Sequence, residues 1–222
     1  MQRNTLIILA VLLTLITLGV ATYMVTSKQM AVPAVSGGSD LRGKSLFTDG
    51  EYGFSIIYPD TFQTDYTFAS FYHLPATWRV QALSSTTGTP VLAIISYRTE
   101  HDHTYPRYFD AEIRIGASQN PKELARCEHA SLEQNEKVLN DVSFGTTTFK
   151  AFSFGDAAMM QYLRGVSYRT LHKGTCIAIE QIQTGSSYRD DPASSDDIRD
   201  ATLQLKYHAL DEVVKTFMFA TP

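Results

Sequence analysis

The pattern of apolar positions divides the chain into an apolar N-terminal segment, a short polar connection and a body of strand-like runs. Residues 5–25, TLIILAVLLTLITLGVATYMV, carry no charge, and their number matches the ~20 residues that cross the hydrocarbon core of a bilayer. The following residues mix Pro, Gly and Ser, which is typical of a flexible linker. We therefore predict a transmembrane anchor at residues 1–27, a linker at 28–43 and a folded domain at 44–222.

The flanks of the apolar segment indicate its orientation. Arg3 and the amino terminus precede it, and positive charge on that side favours a cytoplasmic N-terminus. We therefore expect a single-pass membrane protein with an extracytoplasmic C-terminal domain. The alternative is a signal peptide, cleaved near the small residues 32–34, which would release a secreted domain. Because the apolar cores of signal peptides usually span only about 7–15 residues, we favour the anchor.

Short runs of β-branched and aromatic residues follow the linker and predict strands. Residues 45–49 and 54–59 flank a turn that contains Gly, and together they predict a hairpin. Residues 78–83 and 91–97 predict a second pair of strands, joined by the polar connection SSTTGTP. Residues 108–116 alternate apolar and polar side chains, which predicts a strand with one buried face.

Three further strands are predicted at residues 142–154, 159–168 and 175–184. The connections GDAA and RTLHKG between them are short enough for antiparallel pairing. These runs, with few helices between them, place the body among the antiparallel proteins of the α+β class, built as a sandwich.

Two helices are predicted in the body. The first spans residues 120–136, with Asn120 as N-cap, Pro121 at the first helical position and Glu123 completing a capping box. The second, close to the C-terminus, carries an apolar stripe typical of a helix that faces a core. Its members are Leu210, Val213, Val214 and Phe217.

Charge and cysteine content narrow the class of protein. Of 19 basic and 23 acidic residues, the first 33 positions contain only Arg3 and Lys28, so the body has a formal net charge of −6. We expect no nucleic acid partner for such an acidic domain. Cys127 and Cys176 are an even pair, which in an exported domain favours a disulfide, with two buried free thiols as the alternative.

Residues 38–45, GSDLRGKS, match the G-x-x-x-x-G-K-S pattern of a phosphate-binding loop. That chemistry requires a strand before the loop and a helix after it, because backbone N–H groups at the start of the helix hold the phosphates. Here a linker precedes the pattern, and Asp49 and Gly50 follow too soon for a helix. We therefore expect no nucleotide at Lys44, and no other cofactor.

Residues 99–109, TEHDHTYPRYF, contain the candidate metal ligands. His101 and His103 would project to the same side of an extended segment, and Glu100, Asp102 or the distant His73 could add a third ligand. A hydrated loop is the alternative interpretation, since two local ligands do not complete a zinc site. No G-x-S-x-G motif of a nucleophilic hydrolase is present.

Aromatic residues are dense in residues 65–75, DYTFASFYHLP. Tyr66, Phe68, Phe71 and Tyr72 are the candidates for an exposed interaction patch, because aromatic side chains supply a large contact area at low entropic cost. Core packing is the alternative interpretation of the same residues.

Three stretches resemble the PsbP-like domain family, which includes the extrinsic subunit of the photosystem oxygen-evolving complex and many exported bacterial proteins. They are YGFSIIYPDTF at residues 52–62, FGTTTFKAFSF at 144–154 and LDEVVKTFMF at 210–219. The resemblance spans about residues 44–219. It implies a central antiparallel β-sheet flanked by helices in an α/β/α sandwich, without enzymatic activity, in a family whose members act as accessory, assembly or binding subunits.

The sequence therefore predicts a membrane-anchored, extracytoplasmic accessory or protein-binding domain that is not an enzyme. Its expected partner is another protein at the cell envelope, and its expected contact with the membrane is the N-terminal segment. The alternative function is a metal-binding domain or a hydrolase that uses His101 and His103.

Overall fold

Antiparallel β-strands make up most of the chain that the computed structural model describes, namely residues 41–70, 74–99, 108–131, 135–186 and 198–220. Residues 40–222 belong to one compact unit. In chain order the described elements are β1 (Lys44–Asp49), β2 (Phe54–Pro59), β3 (Gln63–Asp65), β4 (Thr89–Arg98), β5 (Phe109–Ser118), α1 (Pro121–Arg126), β6 (Lys137–Val138), β7 (Val142–Phe144), β8 (Thr147–Ala158), β9 (Gln161–His172), β10 (Thr175–Ser186), α2 (Asp200–Val214) and β11 (Met218–Phe219).

The strands form two antiparallel sheets. The larger sheet has the order β3-β4-β5-β10-β9-β8-β6, and β7 also pairs with β8. The smaller sheet has the order β1-β2-β11. The predicted first hairpin is confirmed as β1 and β2, and the predicted antiparallel run in the second half of the body is confirmed as β8, β9 and β10.

The apolar core lies between one face of the larger sheet, helix α2 and strand β2. The predicted stripe of α2 is buried there, and Phe217, which follows the end of the helix, stacks on Phe54 with ring centroids 5.0 Å apart. The Thr216 hydroxyl accepts a hydrogen bond from the N–H of Ile57 at 2.9 Å. This bond fixes the C-terminal end of α2 on β2.

The opposite face of the larger sheet is also covered. We call residues 74–86 and helix α1 the covering segment. The predicted strand at residues 78–83 is wrong, because these residues turn across the sheet and do not pair with a strand. Trp78 is fully buried, and a Cβ atom on Gly116 of β5 would lie 1.9 Å from the Trp78 carbonyl oxygen. Glycine at position 116 therefore lets the backbone of the covering segment reach β5.

Helix α1 is shorter than predicted. Asn120 is its N-cap, as expected, and accepts the N–H of Lys122 at 3.0 Å, but the helix ends at Arg126. The expected capping box is also wrong, because the Glu123 carboxylate bonds to Arg79 at 2.7 Å. The carboxylate that a capping box would use is bonded instead to Arg79 and to the N–H of Leu83.

The residues of the phosphate-loop pattern that the structure describes adopt a different conformation. Gly43 has φ +71° in a turn, and Lys44 begins strand β1. A strand follows the pattern where a nucleotide site would need a helix. Among the described residues no helix is long and apolar enough to cross a membrane, and the predicted anchor at residues 1–27 lies outside them.

Candidate functional site

A disulfide joins Cys127, at the C-terminal end of α1, to Cys176 on β10, with the two Cα atoms 5.7 Å apart. The sequence favoured this disulfide and left two buried free thiols as the alternative. Both cysteines are buried and form a small apolar cluster with Trp78 and Ala178. The bond therefore holds the covering segment on the sheet.

Strand β5 is buried on both faces, whereas its alternation predicted one buried face. The apolar residues face α2, as expected. The polar residues face the covering segment and form a buried group with Arg98 of β4. The Arg98 guanidinium lies 2.5 Å from Asp110 and 2.7 Å from Glu112, and Arg114 lies 2.5 Å from Glu112. We call these four residues the outer ionic group.

Asp110, a carboxylate of the outer ionic group, has a raised pKa. Burial, and secondly the neighbouring Glu112 carboxylate, raise the pKa of Asp110 to about 7, against the opposing effect of Arg98. The Tyr108 hydroxyl donates a hydrogen bond to Asp110 at 2.9 Å. A buried carboxyl group in this setting changes charge near neutral pH.

A second buried group, which we call the inner ionic group, lies beneath the covering segment. Arg79 lies 2.7 Å from Glu123, and Arg169 lies 2.8 Å from Glu136. Glu180 accepts a backbone N–H of the covering segment at 2.6 Å, and burial raises its pKa. All five side chains are buried, so they present no charged group to solvent, and the Glu180 contact joins β10 to the covering segment.

The structure describes two residues of the predicted interaction patch, Tyr66 and Phe68. Tyr66 is exposed, as an interaction residue should be. Phe68 is buried, which corrects the prediction for that residue, and its ring lies 4.9 Å from the guanidinium carbon of Arg114. Phe71 and Tyr72 lie outside the described residues.

His101 and His103 also lie outside the described residues, as do His73, Glu100 and Asp102. Among the residues that the structure describes, no group of three or more His, Cys, Asp or Glu side chains is placed to hold a metal ion.

The turn between β8 and β9 has an unusual conformation and exposure. Met159 and Met160 occupy it with φ of +50° and +65°. Such two-residue hairpin turns favour Asn-Gly, because both central residues have positive φ. Met159 is 93% exposed and Met160 is 47% exposed. The strain, about 1–3 kcal/mol for each non-glycine residue of this kind, is thus held at a surface where the side chains pack against little.

The two alanines before the turn are also exposed, so residues 157–160 form an uncharged, apolar end of a long hairpin. We call residues 157–160 the methionine tip. The sequence did not reveal it, because the predicted connection GDAA belongs to β8 and the turn contains neither Gly nor Asn. The only signal in the sequence was the pair of methionines in a strand-rich region.

No family model and no curated protein matches the chain. Among solved structures, the solution structure of cyanobacterial PsbP (CyanoP) from Synechocystis sp. PCC 6803 is similar, with 11% identity and a TM-score of 0.38 over 82% of this chain and 96% of that chain. LpqN, a protein involved in cell envelope biogenesis of Mycobacterium tuberculosis, matches with 8% identity and a TM-score of 0.40 over 80% of this chain and 91% of that one.

A PsbP structure is thus among the matches, in agreement with the resemblance found in the sequence. The two TM-scores are too low for either match to support an argument about function. The function is therefore argued from the chain's own residues.

Proposed function

We propose that the chain is an extracytoplasmic accessory domain, held at the membrane by its apolar N-terminal segment, that binds another protein through the methionine tip. The observation that carries this proposal is the pair of exposed methionines in left-handed backbone conformation. Strain of this kind is found where a site, and not the stability of the fold, requires a particular side chain.

The chemistry of the methionine tip favours a protein partner over a lipid surface. Methionine is flexible and polarizable, so it adapts to apolar pockets on other proteins. The tip contains no Lys, Arg, Trp or Tyr, the residues that usually bind membrane interfaces. Asp156, the residue before the tip, is exposed and would repel anionic headgroups.

The proposed extracytoplasmic location draws support from the disulfide between Cys127 and Cys176. Structural disulfides persist in oxidising compartments and are rare in the cytosol. We expect alkylation of unfolded protein from cells to label neither cysteine unless a reductant is added first. Labelling of both cysteines without reductant would contradict the proposed location.

The absence of enzymatic activity is part of the proposal. The carboxylates with raised pKa, Asp110 and Glu180, are enclosed in the two ionic groups. Their partners are arginines and backbone groups of the same fold. We assign these contacts to the packing of the fold and no reaction to them.

The binding function is tested by photo-crosslinking of the full chain in native membranes. A photoreactive residue at the exposed Ala158 should give a discrete crosslinked product, and one at the exposed Leu205 of α2 should not. The product should disappear in Met159→Asn/Met160→Gly, which keeps the turn and removes both methionines. An unchanged product in that variant, or the same product from Leu205, would reject the tip as the binding site.

A further inference from the structure

A second surface, separate from the methionine tip, lies along one edge of the larger sheet. Strand β6 pairs with Phe152 and Ser153 of β8, and β7 pairs with residues 147–149 of the same strand. Between them, Leu139 donates its N–H to the carbonyl of Ala151 at 2.9 Å. Residues 137–144 therefore follow β8 as one interrupted edge strand, which we call the β6–β7 edge.

The β6–β7 edge has charged and apolar positions: Lys137 and Asp141 are charged, and Asp141 pairs with Lys150 at 2.7 Å, whereas residues 138–140 carry no charge. In the described part of the chain, neither β6 nor β7 pairs with any strand except β8. Val138 is 70% exposed and Leu139 is 41% exposed. Uncovered edges with apolar side chains readily accept another strand, which is why proteins usually place charges or proline there.

A groove of about 510 Å³, with apolar and polar lining residues, adjoins the β7 end of the edge. Phe144, Tyr168 and Val214 contribute its apolar surface, and the rings of Phe144 and Tyr168 meet edge to face with centroids 5.2 Å apart. Asp211 and Lys215 of the helical region add polar groups. A groove of this volume and lining suits a large apolar side chain.

A smaller depression of about 390 Å³ lies at the β6 end, lined by Asn135, Lys137, Ser153, Phe154 and Gly155. Lys137 is exposed and forms no ion pair with another described residue. The two ends of the edge thus differ in chemistry, since the groove combines aromatic rings with the charged Asp211 and Lys215, whereas the β6 end offers the exposed ammonium group of Lys137.

We propose that the β6–β7 edge binds an extended segment of a partner polypeptide as an additional strand, with an apolar side chain in the groove and a carboxylate near Lys137. An extended polypeptide is the ligand whose backbone can bond along a strand edge, while pockets select its side chains. Phe144 at the groove and Lys137 pair with Thr147 and Ser153 of β8, which lie six residues apart, or about 20 Å along a strand. The ligand therefore carries an acidic and a large apolar residue about six positions apart.

A second copy of the chain fits this edge less well. Antiparallel pairing of two identical edges about their centre would bring Lys137 of each copy to the aromatic groove of the other. Asp211 at the groove would then pair with the ammonium group, but the apolar surface of Phe144 and Tyr168 would receive no apolar side chain. A partner segment with one acidic and one apolar residue matches both ends.

The probe is a labelled nine-residue peptide of Thr and Val with Glu and Leu six positions apart, made in both chain directions. Its binding to the full chain in detergent micelles is followed by fluorescence anisotropy, with empty micelles as the control. Replacing Leu by Ala should weaken binding about ten-fold or more, as expected for loss of a buried leucine. Replacing Glu by Lys should weaken it about two- to five-fold, as for an exposed ion pair.

Charge reversal provides the decisive comparison. In Lys137→Glu the preference should reverse, so that the peptide with Lys binds better than the one with Glu. Val138→Asp should abolish binding of both peptides by placing a charge on the edge. Neither substitution alters a buried residue, and circular dichroism should confirm that both variants keep the fold.

Two results would overturn the proposal. The first is equal binding of the Glu and Lys peptides by the wild type and by Lys137→Glu, or no binding by either. The second is a dimer in sedimentation analysis that Val138→Asp dissociates, without peptide binding. The methionine variants used for the crosslinking test leave this edge intact, so the outcomes at the two surfaces are separable.

Discussion

At the scale of single residues, glycine and buried charge decide how the covering segment lies on the sheet. Gly88 and Gly116 are both in close contact with Trp78, and a Cβ atom at either would come within 2.6 Å of it. Earlier on β5, Asp110 and Glu112 share the guanidinium of Arg98. Substitutions at all four positions should be poorly tolerated. The two glycines leave no space for a larger side chain, and the two buried carboxylates need the arginine beside them.

Gly116→Ala should destabilise the fold by about 3 kcal/mol, because its methyl group would overlap the Trp78 carbonyl and the backbone must shift. Urea unfolding measures this loss. The matched control is Gly50→Ala, where no atom lies within 4 Å of the added Cβ, and it should change the free energy of unfolding by less than about 1 kcal/mol. Equal effects at the two positions would contradict the close contact between β5 and the covering segment.

Asp110→Asn should change how stability depends on pH. The pKa of Asp110 is about 7 in the folded state, against 3.8 for an unperturbed aspartic acid side chain, so the folded state binds the proton more tightly. Its stabilising contribution is therefore complete below about pH 4 and is lost as the pH rises through 7. Relative to Asp110→Asn, the wild type should lose about 2–4 kcal/mol across that interval.

The measurement is urea unfolding of both proteins at matched pH values from 4 to 8. Taking the difference between them cancels the contributions of groups that the substitution leaves unchanged, including Glu180. A difference that stays constant with pH would show that Asp110 is not protonated in the folded state near neutral pH.

At the scale of elements, the sequence predicted correctly those helices and strands whose hydrophobic periodicity lies within a few neighbouring residues. The first hairpin, β4 and the stripe of α2 each carry their periodicity within a few residues. Residues 78–83 have strand composition, yet their conformation is set by a fit to Gly116, more than thirty residues away. No local pattern contains that contact.

The candidate sites were less predictable than the strands. From the sequence, the polar face of β5 is predicted to be exposed to solvent. It is buried because its partner Arg98 lies on another strand and because a third segment packs over it. The methionine tip was missed because its turn residues are not turn formers. The β6–β7 edge depends on which strands remain unpaired, and this is a property of the assembled sheet.

Met159→Asn/Met160→Gly should stabilise the hairpin while it removes the proposed binding residues. Asn and Gly accept the positive φ that the two methionines hold under strain, so the free energy of unfolding should rise by about 1–2 kcal/mol. Met159→Ala/Met160→Ala is the matched control, because it removes the side chains but keeps the strain. Thermal and urea unfolding compare the three proteins, and equal stabilisation by both variants would contradict strain in the turn.

At the scale of the whole molecule, contacts between residues far apart in the sequence join the covering segment to the larger sheet, although the two have little backbone pairing between them. The disulfide links Cys127 to Cys176 across 49 residues of sequence. The inner ionic group adds the hydrogen bond from the Val80 N–H of the covering segment to Glu180 of β10 at 2.6 Å. Helix α2 covers the other face mainly through apolar contacts, at Leu203 and its neighbours. The two faces of the larger sheet should therefore respond differently to reduction.

Reduction of the disulfide should destabilise the molecule by about 4 kcal/mol, the value expected from the entropy of closing a loop of about fifty residues. The loss should appear first on one face of the sheet. In hydrogen exchange of reduced and oxidised wild type, amides of the covering segment should lose protection, while those of α2 should keep theirs until global unfolding. Cys127→Ala/Cys176→Ala should reproduce the pattern without reductant, which excludes an effect of the reductant itself. Equal loss of protection in α2 would mean that the two faces unfold as one unit, and that the disulfide stabilises the whole core and not the covering segment in particular.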